Sequence, residues 1–66
     1  MTEYQVQSLE ATVNDIWYMI ERTSDEVDIA RYCGKLDGIR RVIEMFDLVI
    51  RQIEDGRRVI VPMLDD

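Results

Sequence analysis

The feature that most constrains this chain is an apolar repeat along its second half. Large apolar side chains recur there at alternating steps of three and four residues: Ile29, Tyr32, Leu36, Ile39, Ile43, Phe46, Ile50 and Ile53. Such spacing places a continuous stripe on one face of an α-helix. The pattern predicts a helix from about residue 25 to about residue 55, roughly 45 Å long at about 1.5 Å per residue.

A second apolar row follows the same predicted helix on another face. Its members are Val27, Ala30, Gly34, Gly38, Val42, Met45 and Val49. A helix that is apolar over most of its circumference is normally covered on more than one side. The two glycines each cost about 1 kcal/mol relative to alanine inside a helix. They favour the close approach of another helix, and a small ligand resting on bare backbone is the alternative interpretation.

The first part of the chain predicts a shorter helix over residues 3–22. Thr2 and Gln5 have the spacing of a capping box at its start. An apolar stripe then runs at three- and four-residue steps: Val6, Leu9, Val13, Ile16 and Ile20, widened by Trp17. The stripe loses phase at residues 22–25, where Thr23 or Ser24 can cap a second helix. An antiparallel helical hairpin is therefore expected, with one straight helix as the competing interpretation.

The C-terminal segment changes character after Asp55-Gly56, where Gly56 is expected to end the second helix in a left-handed conformation. Residues 57–64 then predict a short extended or β segment, because β-branched residues favour strands and Pro62 confines a strand to a sheet edge. Within a chain of two helices this arm has no strand partner. We expect it to pair with the same arm of another subunit or to lie over a neighbour's helices.

The size of the chain makes self-association the expected solution. The 66 residues form a single domain, 1–66, and small domains bury a low fraction of their surface. Small proteins usually compensate with disulfides, a metal or a partner chain. Cys33 is the only cysteine and histidine is absent, so neither a disulfide nor a good zinc site is expected. The predicted fold is all-α, a hairpin assembling into a homo-oligomeric helix bundle that is at least a dimer; larger oligomers and the chain orientation are left open.

Charge and composition exclude several classes of function. The formal net charge of −6 makes duplex nucleic acid an unlikely partner. No apolar run is long enough for a membrane span, and the N-terminus lacks the pattern of a signal peptide, so we expect a cytoplasmic protein. An enzyme is not expected, because Cys33 has no histidine to act as its base. We interpret Cys33 as a buried structural thiol and predict no cofactor.

Two sets of residues are predicted to carry function. The oligomer interface is predicted to comprise apolar and small residues of helix 2 and the C-terminal arm, namely Ala30, Gly34, Gly38, Val42, Met45, Phe46, Val49, Ile50, Ile53, Val59 and Val61. Aromatic and basic residues outside the main stripes could contact a partner or a ligand, namely Tyr4, Tyr18, Tyr32, Lys35, Arg57 and Arg58. Aromatic side chains are enriched at interfaces.

One stretch resembles a known kind of protein. The segment reads Tyr32-Cys33-Gly34-Lys35-Leu36-Asp37-Gly38-Ile39-Arg40-Arg41-Val42-Ile43. It resembles the second helix of small bacteriophage-encoded accessory proteins of helical-hairpin type. The resemblance covers about a fifth of the chain and implies no catalytic residue. It implies a phage or mobile-element accessory protein in the host cytoplasm that binds or inhibits a host or defence protein.

Two functions follow as hypotheses. The first is an oligomeric protein-binding module, favoured by the surplus of apolar surface, the aromatic residues and the acidic flanks. The second is a sponge that sequesters a nucleotide signal in clefts between subunits, with Lys35, Arg57, Arg58 and tyrosines as its lining. Basic side chains gathered from several subunits could hold a phosphate group.

Overall fold

The computed structural model describes residues 1–65, which form two helices followed by a β-hairpin. Helix α1 spans Glu3–Arg22 and helix α2 spans Glu26–Glu44. Strand β1 spans Leu48–Gln52, strand β2 spans Arg58–Pro62, and a 3-10 turn follows at Met63–Asp65. Neither helix is long and apolar enough to cross a membrane, in this described part of the chain.

Helix α1 confirms the predicted bounds and the predicted capping box. The Thr2 hydroxyl accepts a hydrogen bond from the Gln5 N–H at 3.1 Å, and the Gln5 side-chain oxygen accepts from the Thr2 N–H at 2.8 Å. The two side chains thus satisfy two backbone donors that the first turn of a helix leaves without partners.

The chain turns between the helices, so the hairpin is confirmed and the single straight helix is wrong. The cap of α2 is Asp25, rather than Thr23 or Ser24: its carboxylate accepts from the N–H groups of Val27 at 2.8 Å and Asp28 at 3.4 Å. The Thr23 hydroxyl instead accepts from the Asp25 N–H at 3.2 Å and tightens the turn. A negative side chain is also favoured at this end of the helix dipole.

Helix α2 ends at Glu44, and the predicted continuation to about residue 55 is wrong. The N–H groups of Met45, Phe46 and Asp47 donate to carbonyl oxygens only three residues back, so the helix tightens into a turn. Asp47 then adopts a left-handed conformation, with φ of 58°. This conformation redirects the chain into an extended strand, because left-handed residues do not continue a right-handed helix.

The two strands pair with each other, so the fold is not all-α. They are antiparallel, with Val49 opposite Val61 and Ile50 opposite Ile60. Gly56 is left-handed as predicted, with φ of 90°, but it lies in the loop of this β-hairpin and is not the end of a helix. The expectation that the C-terminal strand has no partner within the chain is also wrong, because its partner is β1.

The β-hairpin packs one face against the helices. Ile60 is buried and Ile50 packs against the helical core, and residues directly opposite in an antiparallel pair point to the same face. The fully or nearly buried side chains come from α1, α2 and β2: Val13, Ile16, Leu36, Ile43 and Ile60. The other face of the sheet carries the partly exposed Val49, Val59 and Val61. The core thus lies between the helical hairpin and the β-hairpin.

Candidate protein-binding surfaces

An apolar groove runs between α1 and α2 on the side away from the β-hairpin. It has a volume of about 510 Å³. Its walls come from both helices and include no strand residue: Leu9, Thr12 and Ile16 of α1, and Lys35, Gly38, Ile39 and Val42 of α2. We call this surface the helix groove. The opposite side of α1 contacts β2, as the hydrogen bonds of Asn14 to Arg58 show.

The chemistry of the helix groove is almost entirely apolar. Val42 is 48% exposed, and the floor at Gly38 is open, since nothing lies within 4 Å of where a Cβ would be. Lys35 is its one charged lining residue among the described residues. Arg31 is exposed four residues earlier on α2, which places it on the same helix side as Lys35. The groove is therefore a shallow, open apolar depression, with Lys35 in its lining and Arg31 on the same side of α2.

Part of the second apolar row of α2 is exposed to solvent in the single chain. Ala30 and Gly34 are exposed, nothing lies within 4 Å of a Cβ built at Gly34, and Met45 is 81% exposed. Within residues 1–65 no helix packs on Ala30 or Gly34, so the predicted close helix contact there requires another chain and stays a prediction.

The other predicted interface residues are not on this row, because α2 ends before them. Phe46 is exposed in the turn after α2, whereas Ile50 lies in β1 and packs against the core. Ile53 is half-buried at the start of the hairpin loop. Val49, Val59 and Val61 lie together on the outer face of the sheet. The continuous helical interface expected from Ala30 to Ile53 is thus divided between a helix row and a sheet face.

The predicted aromatic contacts lie at three separate places. Tyr4 is 78% exposed near the start of α1. Tyr18 is exposed, and its ring lies 4.2 Å below the guanidinium carbon of Arg22. Tyr32 packs against the core, with the Lys35 ammonium 5.6 Å from its ring centre. Such cation–π contacts hold the cations close to their own chain.

The predicted basic residues also fail to converge within one chain. The Arg58 guanidinium stacks 4.0 Å from the ring centre of Trp17 and lies 3.9 Å from the Glu21 carboxylate. Arg57 is exposed and lies 3.5 Å from the Asp55 carboxylate. Arg57 lies in the loop of the β-hairpin and Arg58 begins β2, whereas Lys35 lines the helix groove on the other side of the helices. A phosphate site built from all three is therefore not assembled in the single chain.

Sequence reasoning missed two polar residues that organise the other side of α1. The Asn14 side chain donates to the Arg58 carbonyl oxygen at 2.8 Å and accepts from the Arg58 N–H at 2.9 Å. The Glu10 carboxylate accepts from the Ile60 N–H at 2.6 Å. In the sequence both residues lie on the polar flank of a helix, where solvent exposure is expected. Their role depends on a strand beside α1, and the helical pattern of the sequence does not indicate one.

Cys33 is exposed on α2, so the interpretation as a buried structural thiol is wrong. The residue lies on the side of the helix away from the core stripe, next to Gly34. In residues 1–65 no three cysteine or acidic side chains come together as ligands for a metal ion.

Comparison with known proteins adds no relative: no protein-family model, no curated protein and no solved structure matches this chain. The resemblance of residues 32–43 to phage accessory proteins therefore stays a prediction.

Proposed function

We propose that this protein is a non-enzymatic binding module that accepts an amphipathic helix of another protein in the helix groove. The observation that carries the proposal is the open apolar slot between Leu9 and Ile16 of α1 and Ile39 and Val42 of α2. Binding of an amphipathic helix in such a groove is a common mode of protein recognition, because it buries one apolar stripe against another. The resemblance of residues 32–43 supports a host or defence protein as the partner.

The shape of the groove supports a helix as its occupant. Two antiparallel helices leave a furrow along their line of contact, and the side chains of a third helix can fill it at an interaxial distance of about 8–10 Å. Gly38 lowers the floor of the furrow, because it has no side chain, and so allows the third helix to approach closely.

Lys35, in the lining of the groove, favours a partner that carries negative charge. The exposed cations Arg31 and Lys35 stand on this side of α2, although the protein as a whole carries a net charge of −6. Complementary charges across an interface guide association and suppress wrong partners. The preferred occupant is therefore a helix with an apolar stripe flanked by Asp and Glu.

A pair of designed peptides tests this proposal, because the two peptides differ only in the charge that flanks the apolar stripe. One labelled helical peptide carries a Leu stripe flanked by Glu, and the other carries the same stripe flanked by Lys. We expect the Glu peptide to bind at least about tenfold more tightly in fluorescence anisotropy titrations, a difference of about 1.4 kcal/mol. Lys35→Glu is expected to reduce or reverse this preference.

Matched variants locate the binding site. Val42→Glu places a charge in the groove and is expected to weaken binding of the Glu peptide at least about tenfold. Gln7→Glu is the control, because it adds the same charge at an exposed position of α1 that does not line the groove. Equal binding by the two peptides, or equal effects of the two variants, would contradict the proposal. Circular dichroism of each variant verifies that the fold is retained.

A further inference from the structure

The outer edges of the two strands differ in whether their backbone groups have hydrogen-bond partners. The outer edge of β2 is closed by α1: Asn14 bonds both backbone groups of Arg58, and Glu10 accepts from the Ile60 N–H. These side chains occupy the positions that another strand would use. Proteins commonly cover sheet edges in this way, because an open edge is a template for pairing.

The outer edge of β1 is open. The Ile53 N–H donates to Arg57 and the Met63 N–H to Asp47, each at 2.8 Å, so these two pairs are hydrogen-bonded pairs of the ladder. Because hydrogen-bonded and non-bonded pairs alternate in an antiparallel ladder, the N–H and C=O groups of residues 48, 50 and 52 point away from β2. In residues 1–65 no hydrogen bond reaches these outward groups.

A groove lies next to β1, between the helix-facing side of this strand and α2. Its volume is about 400 Å³, and it is lined by Leu48, Ile50 and Gln52 of β1 and by Arg40 and Glu44 of α2, with Trp17 and Arg58 also in its lining. Helix α2 therefore does not close the edge of β1 in the way that α1 closes the edge of β2.

We infer that the open edge of β1 pairs with β1 of a second copy of this chain. The two strands run antiparallel about a two-fold axis at Ile50, and the sheet grows to four strands in the order β2-β1-β1-β2. In this register Ile50 lies opposite the second copy's Ile50, and Leu48 lies opposite its Gln52. Three hydrogen-bonded pairs form, with about six hydrogen bonds at two for each pair.

The side chains favour this register. Centring the axis on Arg51 would place two arginines directly opposite each other, and like charges across a strand pair are destabilising. Centring it on Ile50 places each Arg51 opposite a Val49 instead. It also brings the helix-facing Ile50 side chains of the two copies together, so the core continues across the interface.

The closed edge of β2 explains why a second copy fits better than an unlimited series of strands. An isologous interface uses the same surface of both copies and is satisfied by two chains. Because Asn14 and Glu10 cover the only other edge of the sheet in residues 1–65, the assembly stops at a dimer. This interface lies on the β-hairpin and is independent of the helix groove.

Gln52 allows a direct test. Gln52→Pro removes an outward N–H and places a ring in the path of the second strand, while the ladder to β2 does not use that N–H. Gln52→Ala is the matched control, because it shortens the same side chain and keeps the N–H. In sedimentation equilibrium we expect the wild type and Gln52→Ala to approach twice the monomer mass of 7.8 kDa at high concentration. Gln52→Pro is expected to raise the dimer dissociation constant at least about tenfold.

Amide hydrogen exchange identifies the surface that pairs. The Ile50 amide has no acceptor among residues 1–65 of its own chain, so it is expected to exchange rapidly at low concentration and to become at least about tenfold slower in the dimer. This measurement uses the wild-type protein and therefore decides the question even if Gln52→Pro does not fold. A monomer at millimolar concentration would overturn the proposal. A dimer in which the Ile50 amide still exchanges rapidly would also overturn it. Such a dimer would form through another surface, such as the second apolar row of α2 at Gly34.

Discussion

The side-chain amide of Asn14 bridges both backbone groups of Arg58, donating to the carbonyl oxygen at 2.8 Å and accepting from the N–H at 2.9 Å. A single polar side chain thus joins α1 to β2. Asn14→Ala leaves both backbone groups partly buried without these partners, and we expect it to lower the free energy of unfolding by about 1–3 kcal/mol. Urea unfolding followed by Trp17 fluorescence measures the loss. Gln7→Ala, on the exposed part of the same helix, is expected to stay within about 0.5 kcal/mol of the wild type.

Ile43 is the most deeply buried residue of α2, with 1% of its surface exposed. Ile43→Ala removes three buried carbon atoms and leaves a cavity between the helix and β1, so we expect a loss of about 2–5 kcal/mol. Because 1 kcal/mol shifts the midpoint of a domain this small by about 4–8 °C, thermal unfolding should detect it readily. Val27→Ala removes a side chain that is 61% exposed and should change the midpoint little. Equal losses would indicate that Val27 is covered in solution by another chain.

Substitution by alanine should lower the free energy of unfolding at Gly56 and raise it at Gly34. Neither position has an atom within 4 Å of a new Cβ, so backbone conformation decides the outcome. Gly56 has φ of 90°, where a Cβ is strained, and Gly56→Ala should destabilise the protein by about 1–2 kcal/mol. Gly34 lies inside α2, and Gly34→Ala should stabilise it by up to about 1 kcal/mol. Loss of stability in Gly34→Ala, increasing with protein concentration, would instead support the predicted close helix contact with another chain.

Arg58 and Trp17 form a stacked pair whose planar geometry a lysine does not reproduce. Arg58→Lys keeps the charge but is expected to cost about 0.5–1 kcal/mol and to shift the emission of Trp17, the only tryptophan. Arg57→Lys is the control, since Arg57 points to Asp55 and is not stacked on the indole. An unchanged Trp17 spectrum in Arg58→Lys would show that the stack is not populated in solution.

The helical hairpin was predictable because its signals are local. The capping box of Thr2 and Gln5 and the three- and four-residue stripe through Val13 and Ile16 depend only on sequence neighbours, and the structure confirms both. The core position of Leu36 follows from the same periodicity. These features depend only on residues that are close in the sequence, so a single sequence is enough to predict them.

Strand β1 was mispredicted because its apolar residues continue the helical period of α2. Ile50 is seven residues from Ile43, so periodicity alone cannot tell a helix from a short strand there. The overlooked signal is Asp55-Gly56 between two β-branched runs, Val49-Ile50 and Val59-Ile60-Val61, which is a hairpin pattern. The left-handed Asp47 that separates helix from strand carries no comparable signal, because Asp adopts this conformation at only a small share of its positions.

The candidate surfaces were only partly predictable for a related reason. Exposure of the row through Gly34 and Val42 follows from its position opposite the core stripe of α2. The helix groove also needs Leu9 and Thr12 of α1, and their alignment with Gly38 depends on how the two helices pack. The open edge of β1 could not be predicted, because the helical periodicity of the sequence placed residues 48–52 in a helix.

The bonds that join Asn14 to Arg58 span 44 positions of the chain, and this separation has a consequence for biosynthesis. At a translation rate of about 5–20 residues per second, the ribosome needs roughly 2–9 s to reach Arg58 after adding Asn14. During that interval the hydrogen bonds between Asn14 and Arg58 cannot form, because Arg58 has not been added. The side chain of Asn14 therefore acquires its strand partner only after both helices have been synthesised.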